Sequence, residues 1–160
     1  MAFRIGILTV SDRRAQGLEP DESGPRLAQQ VAPLGDVVCY EVVPDEHDRI
    51  AARLAYMADE LDLDLVLTTG GTGLAPRDVT PEATLAVVSR LVPGLPELMR
   101  AAGAVRERRA ALSRGVAGIR GRTLIVNLPG SPRGAEESLA AIIDLLPHAL
   151  VVLRGQPAGH

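Results

Sequence analysis

Four residues, Gly70-Gly71-Thr72-Gly73, followed after Leu74-Ala75-Pro76-Arg77 by Asp78, are the part of this chain whose types and spacing most point to chemistry. Glycines let backbone N–H groups approach a phosphate that a Cβ would block. The loop fits neither common glycine fingerprint. A P-loop needs Lys-Ser/Thr after its last glycine, where Leu74-Ala75 stand, and a dinucleotide loop needs a third glycine where Pro76 stands. A second carboxylate of interest is Asp45, between Pro44 and the helix expected to follow, with Asp48 three positions on. Spacing alone favours a helix cap for Asp45, and Asp78 could merely tie down its own loop. If both reach one rim beside a phosphate-binding loop, they make a magnesium site, since Mg²⁺ takes one or two carboxylates plus phosphate oxygens and water.

The elements that must position these residues alternate. Phe3 to Val10 is β-rich and apolar on both faces, as a central parallel strand should be. Ser11-Asp12-Arg13-Arg14 and a polar loop through Asp21 follow, then a helix capped by Ser23 that carries Leu27, Val31 and Leu34 on one face. Asp36 to Val43 reads as a second strand, and a helix runs from Pro44 to about Leu61 with Ile50, Leu54, Met57 and Leu61 inward. Leu63 to Leu67 is the third strand, entering the glycine loop. Thr80 is the expected N-cap of the next helix, Pro81 its first residue and Glu82 the acid at its positive end, with the helix ending near Leu91. A further helix is expected from Pro96 to about Arg109, with Arg106, Arg108 and Arg109 as a solvated basic end, then a turn at Leu112-Ser113-Arg114-Gly115. Strands at Val116 to Arg120 and Thr123 to Leu128 precede the loop Asn127-Leu128-Pro129-Gly130-Ser131-Pro132. The last helix, from Gly134, is interrupted near Pro147.

This alternation predicts an α/β three-layer, doubly wound, mostly parallel sheet with helices on both faces, a single domain over residues 1–155 and a flexible tail over 156–160. Ser11, Asp45, the glycine loop and Asn127 then all follow carboxyl ends of strands, the edge where open parallel sheets bind ligands.

Composition narrows the partners. A formal net charge of -3, an aromatic content of 2% and no tryptophan argue against nucleic acid. The single cysteine, Cys39, excludes an internal disulfide framework and is expected in the core of a protein from a reducing compartment. Arg4 near the start argues against a signal peptide, and the apolar run from Leu139 to Leu153 carries Asp144, Pro147 and His148 and is too short to span a bilayer. A soluble cytoplasmic protein is expected. None of His47, His148 and His160 lies in a motif, so a histidine base is not expected in the site.

The glycine loop with Asp78, in the form G-G-T-G-x-x-x-x-D, resembles the signature of the molybdenum-cofactor biosynthesis family. The likeness extends to Ile5-Gly6-Ile7-Leu8-Thr9-Val10-Ser11-Asp12, Val43-Pro44-Asp45-Glu46, Asp78-Val79-Thr80-Pro81-Glu82-Ala83-Thr84, Leu112-Ser113-Arg114 and Asn127-Leu128-Pro129-Gly130. The resemblance implies the molybdenum-cofactor-binding fold and adenylyl transfer from Mg-ATP to the terminal phosphate of molybdopterin with release of pyrophosphate. It implies Asp45 and Asp78 as catalytic, metal-binding carboxylates, Gly70, Gly71, Thr72 and Gly73 as a cradle, and Ser11, Asp12 and Asp21 as nucleotide-side contacts. Ser113 and Arg114 would face the pterin, with Asn127, Pro129 and Gly130 nearby. It also implies a homotrimer or hexamer and transient hand-over to a molybdate insertase. Two other readings stay open: a catalytically silent pterin carrier or scaffold, and a nucleotide-binding regulator on the same sheet.

Overall fold

The computed structural model describes residues 2–155, so the expected tail lies outside the described residues. Six strands form one sheet in the order β2-β1-β3-β6-β5-β4: β1 Phe3–Val10, β2 Gly35–Val43, β3 Leu65–Thr69, β4 Arg90–Leu91, β5 Ala117–Arg120 and β6 Thr123–Leu128. β1 pairs in parallel with β2 and β3, and β3 with β6. The outer strands β5 and β4 run antiparallel. The register aligns Ile5 with Leu65 and Leu65 with Leu124, a continuous apolar row across the centre.

Side chains alternate across a strand, so the sheet builds two cores. Phe3, Ile5, Ile7, Leu65, Leu67, Leu124 and Val126 face α2 (Ser23–Val31), α5 (Gly94–Arg106), α6 (Pro132–Ala140) and α7 (Leu146–Leu153). Leu8, Val10, Val66 and Ile125 face α3 (His47–Asp59) and α4 (Thr80–Val87). Every residue of β3 and β6 is buried, hence their unbroken apolar runs, whereas β2 at one edge alternates partly buried with exposed positions. Cys39 sits on that edge strand. It is half-buried rather than core, its Sγ donating to Glu41 Oε2 at 3.3 Å, with burial raising the thiol pKa to about 11. No helix among the described residues is long and apolar enough to cross a membrane.

Several boundaries differ from the sequence reading. β3 starts at Leu65 because Asp64 turns away to the Arg4 N–H and the Arg154 guanidinium at the sheet's far end. α4 stops at Val87, where Val88 goes extended. The next residues form β4, with Ser89 and Val92 N–H donating to Ile119 and Ala117 carbonyls on either side of its pairing with β5. α5 ends at Arg106, and Arg108 and Arg109 belong to a 3₁₀ turn over Arg108–Leu112. The chain breaks before Pro147, which sits in the first turn of α7, where a proline lacks no needed donor. Ser23 lies inside α2, and the cap bond at that end comes from Asp21, whose Oδ1 accepts from the Gly24 N–H. A one-turn helix, α1, covers Asp12–Ala15, with Ser11 Oγ accepting from the Arg14 N–H.

The topology places a crevice. β1 leads through α2 outward to β2, and the chain then returns over α3 to β3 on the other side of β1. The turns after β1 and β3 therefore diverge at the carboxyl edge, the reversal point at which such sheets hold ligands.

Candidate active site

Two glycines shape the loop after β3. Gly70 has φ +106° and a Cβ there would overlap the carbonyl oxygen of Val10; Gly71 has φ +68°. Both values belong to the left-handed region that glycine tolerates. The loop is then tethered on every side. Gly70 N–H donates to Leu128 O (3.1 Å), Thr80 N–H to Gly71 O (3.1 Å) and Arg114 N–H to Thr72 O (2.8 Å). The N–H groups of Gly71, Thr72, Gly73 and Leu74 have no hydrogen-bond partner among the described residues. Four successive backbone donors left free on a tethered loop are the groups an anion receptor would use. Gly70→Ala is expected to destabilise the fold by about 3 kcal/mol or more, through backbone strain and overlap with β1. That is a fall in melting temperature of roughly 10 °C, measured by thermal unfolding.

The carboxylates gather at the mouth of this receptor. Asp45 does not cap its own helix; Glu46 holds that position and makes no side-chain cap bond. Instead Asp45 and Asp12 brace each other across the ends of β2 and β1. The Asp12 N–H donates to Asp45 Oδ2 and the Asp45 N–H to Asp12 Oδ1, both at 2.9 Å. Asp45 Oδ1 takes no hydrogen bond from the described residues and lies 3.2 Å from where a Cβ on Gly71 would stand. Asp78 Oδ2 accepts from the Ala75 N–H at 3.0 Å, closing its own loop, and sits 2.8 Å from the corresponding point on Gly73. Burial first, then the negative charges of Asp12 and Asp78, push the Asp45 carboxyl above its usual range, against the Asp12 N–H and Arg77. Asp78 thus acts on Asp45 from the other end of the same glycine turn. Asp48 instead meets His47 at 2.9 Å.

Arg77, between the glycines and Asp78, carries no signal in its spacing. Its guanidinium forks onto Asp12 at 2.6 and 2.9 Å, and chiefly through those bonds holds that carboxyl below its usual range. Asp21, expected beside the nucleotide, is half-buried and held by the Thr9 hydroxyl (2.7 Å) and the Tyr40 hydroxyl. Burial opposes its ionisation, but those hydroxyls, the Gly24 N–H and Arg14 outweigh it, so its pKa is lowered.

Arg114 reaches the glycine loop from behind. Its Nε donates to Gly73 O (2.8 Å), Nη2 to Asp78 O (2.6 Å) and Nη1 to Glu82 Oε2 (2.7 Å). The fork expected to face the pterin therefore clamps the glycine loop instead. Asn127 lies within β6 and is 2% exposed. Its Oδ1 accepts from the Val116 N–H, and its Nδ2 donates to Thr68 and Thr84 hydroxyls, so the amide braces the site from beneath. Gly130 O accepts from Ser23 Oγ at 2.8 Å, and Thr69 Oγ1 donates to Pro129 O at 2.6 Å, which lays this loop beside Gly70.

Beyond Thr72 and Gly73, away from Asp45, opens a groove of about 460 Å³ between α5 and α6, lined by Thr72, Gly73, Ser113, Pro129, Ser131 and Ser138. Arg109 and Glu107 form its outer wall, a role that reading Arg109 as part of a solvated helix end does not suggest. The glycine loop thus stands between an acidic mouth and a mostly apolar groove with hydroxyls along it. Such a bipartite crevice suits two substrates meeting at phosphate.

The chain is similar to known proteins in sequence and fold. The family model described as "Probable molybdopterin binding domain" matches residues 6–148. The structure of the molybdopterin biosynthesis enzyme MoaB from Thermus thermophilus superposes with a TM-score of 0.91 at 55% identity, covering 97% of this chain and 98% of that one. The molybdopterin adenylyltransferase of Helicobacter pylori (strain ATCC 700392 / 26695) is 43% identical over 96% of this chain and 89% of its own length. That of Escherichia coli K12 is 42% identical over 89% of this chain and 74% of its own. With the match running from β1 to α7 and taking in every loop of the crevice, this chain belongs to the molybdenum-cofactor biosynthesis family.

Proposed function

We propose that this protein is a molybdopterin adenylyltransferase. The observation that carries the reading is the placement of four free backbone donors, Gly71 to Leu74, between the Asp45–Asp78 pair and the α5–α6 groove. The similarity to adenylyltransferases at 42–43% identity supports it. In this reading ATP lies at the acidic mouth, molybdopterin lies in the groove, and the terminal phosphate of the pterin reaches the receptor. An oxygen of that phosphate attacks the α-phosphorus of ATP. The new P–O bond forms as the α–β bridging bond breaks, and its electron pair leaves with pyrophosphate. The nucleophile is already anionic, so no strong base is needed, and alignment with charge neutralisation supplies the rate. His47, exposed and turned to Asp48, is consistent with that.

The residues present fit magnesium. Asp45 Oδ1 lacks a donor among the described residues, and Asp78 is close enough to act on Asp45. Asp45 and Asp78 would hold the ion, which when bound neutralises phosphate charge and keeps the triphosphate in line. Gly71 to Leu74 bind phosphate oxygens, Arg114 holds the loop rigid, and Ser113, Pro129 and Ser131 shape the pterin side. The same reading includes a cytoplasmic enzyme, a homotrimer or hexamer, and transfer of the adenylylated product to a molybdate insertase.

Incubation with molybdopterin and Mg-ATP is expected to release one pyrophosphate per adenylylated pterin. Pterin binding without pyrophosphate would identify a silent carrier. Nucleotide binding without pterin affinity would identify a regulator.

A further inference from the structure

Thr80 is 0% exposed, and its hydroxyl has no hydrogen-bond partner among the described residues. A buried hydroxyl left unpaired costs about 1–3 kcal/mol. The two other unpartnered buried atoms among the described residues, Arg14 Nε and Gln30 Oε1, belong to side chains that bond elsewhere. Thr80 has only the one polar side-chain atom. Capping does not account for it either, because Thr80 lies inside α4, and the residue before it, Val79, makes no side-chain cap bond.

Its location does account for it. The Thr80 N–H holds Gly71 O at 3.1 Å, and a Cβ on Gly71 would run into Thr80 Oγ1 while standing 3.2 Å from Asp45 Oδ1. The hydroxyl and the carboxylate oxygen therefore flank the same bare face of Gly71. One is a donor without an acceptor and the other an acceptor without a donor. On its far side Asp45 is held by Asp12, whose N–H takes Oδ2.

We propose that Thr80 is the positioning residue of Asp45. When a divalent cation draws the carboxylate toward the Gly71 face, Thr80 Oγ donates to it and fixes its rotation, which orients the oxygen that meets the ion. The inference rests on the cation site of the adenylyltransferase reading. It does not require turnover, only that Asp45 binds the ion. Residues that orient a metal's carboxylate through a hydrogen bond commonly change affinity by about 10- to 100-fold.

The test compares Thr80→Val, which removes the hydroxyl at nearly constant shape, with Thr80→Ser, which keeps it. Thermal unfolding is measured without metal. Mn²⁺ affinity is then measured by electron paramagnetic resonance titration, and KM for Mg-ATP is separated from kcat. Thr80→Val is expected to melt at or above the wild-type temperature while binding Mn²⁺ about tenfold more weakly, with Thr80→Ser within about twofold of wild type. Unchanged Mn²⁺ affinity in Thr80→Val would overturn the proposal. So would a Thr80→Val protein that is unfolded or clearly destabilised, because the hydroxyl would then serve the metal-free fold. A wild type that binds no Mn²⁺ removes both this inference and the magnesium site. A protein whose Mn²⁺ affinity depends on the Thr80 hydroxyl as expected but which releases no pyrophosphate removes the adenylyltransferase reading alone.

Discussion

Asp45→Asn is expected to lower kcat for pyrophosphate release by on the order of 10²-fold or more while leaving molybdopterin affinity within a few fold. The substitution keeps an oxygen for the Asp12 N–H but removes the charge that would balance a cation against the triphosphate. The groove proposed for the pterin lies beyond Thr72 and Gly73 and does not include Asp45 among its lining residues, so on that reading pterin binding has no direct dependence on that charge. Equal loss of turnover and pterin affinity would contradict the assigned role.

The same variant is expected to be as stable as wild type at pH 7, or slightly more so. Burial and the charges of Asp12 and Asp78 raise the Asp45 pKa in the folded state. A raised carboxyl pKa contributes stability below its unfolded value, near 4, and that contribution is lost as pH rises through the folded value. At neutral pH the ionised Asp45 is therefore a liability to the fold, and asparagine relieves it. Asp21 has the opposite sign. Its lowered pKa stabilises the fold above about pH 4, and that stability is lost as pH falls through the folded value. Melting temperatures of wild type and Asp45→Asn across pH 3 to 8 would show the variant losing part of its advantage in acid, where Asp45 is protonated in both states. Activity lost without stability lost marks a residue kept for its chemistry.

How much of this was legible in the sequence depends on how local each feature is. β1, β3 and β6 are written in the chain because strands buried on both faces leave apolar runs. The glycine loop is also local, and its need for positive φ is carried by Gly70 and Gly71 themselves. β4 could not be read, since two exposed residues, Arg90 and Leu91, become a strand only by pairing with β5. Within the site, spacing made Asp45 a helix cap, whereas its carboxylate answers Asp12, 33 positions away. Arg114 reaches 41 positions to Gly73, and no periodicity announces that. Family resemblance pointed to Asp45 and Asp78. It left unread Arg77 on Asp12 and the unpaired hydroxyl of Thr80, which exist only once β1, β2 and the glycine loop converge. Thr80-Pro81 reads as a helix start in either case.

Asn127→Leu is expected to be the most damaging conservative-volume substitution near the crevice, at about 3 kcal/mol of stability. The amide of Asn127 joins three elements beneath the loop. It accepts the Val116 N–H at 3.1 Å and donates to Thr68 of β3 and Thr84 of α4, each at 3.0 Å. Leucine fills similar space yet leaves a backbone N–H and two hydroxyls without this partner in a buried layer, at about 1 kcal/mol or more apiece. The melting temperature should fall by about 6–12 °C for a chain of this size. Thr68 and Thr69 end β3 where the glycine loop begins, so loosening that end lets the donors of Gly71 to Leu74 shift from their fixed positions. Nucleotide affinity should therefore weaken together with stability, unlike in Asp45→Asn, where the two separate. Asn127→Asp tests the split within the amide. It keeps the acceptor for Val116 but replaces the donor with a buried charge facing two hydroxyls, which can turn to donate. It is expected to be less stable than wild type at pH 7, more stable than Asn127→Leu, and to gain stability on acidification as the folded-state carboxyl takes up its proton, down to about pH 4. A ranking in which leucine matched wild type in melting temperature would show that the amide is not the keystone of the loop's footing.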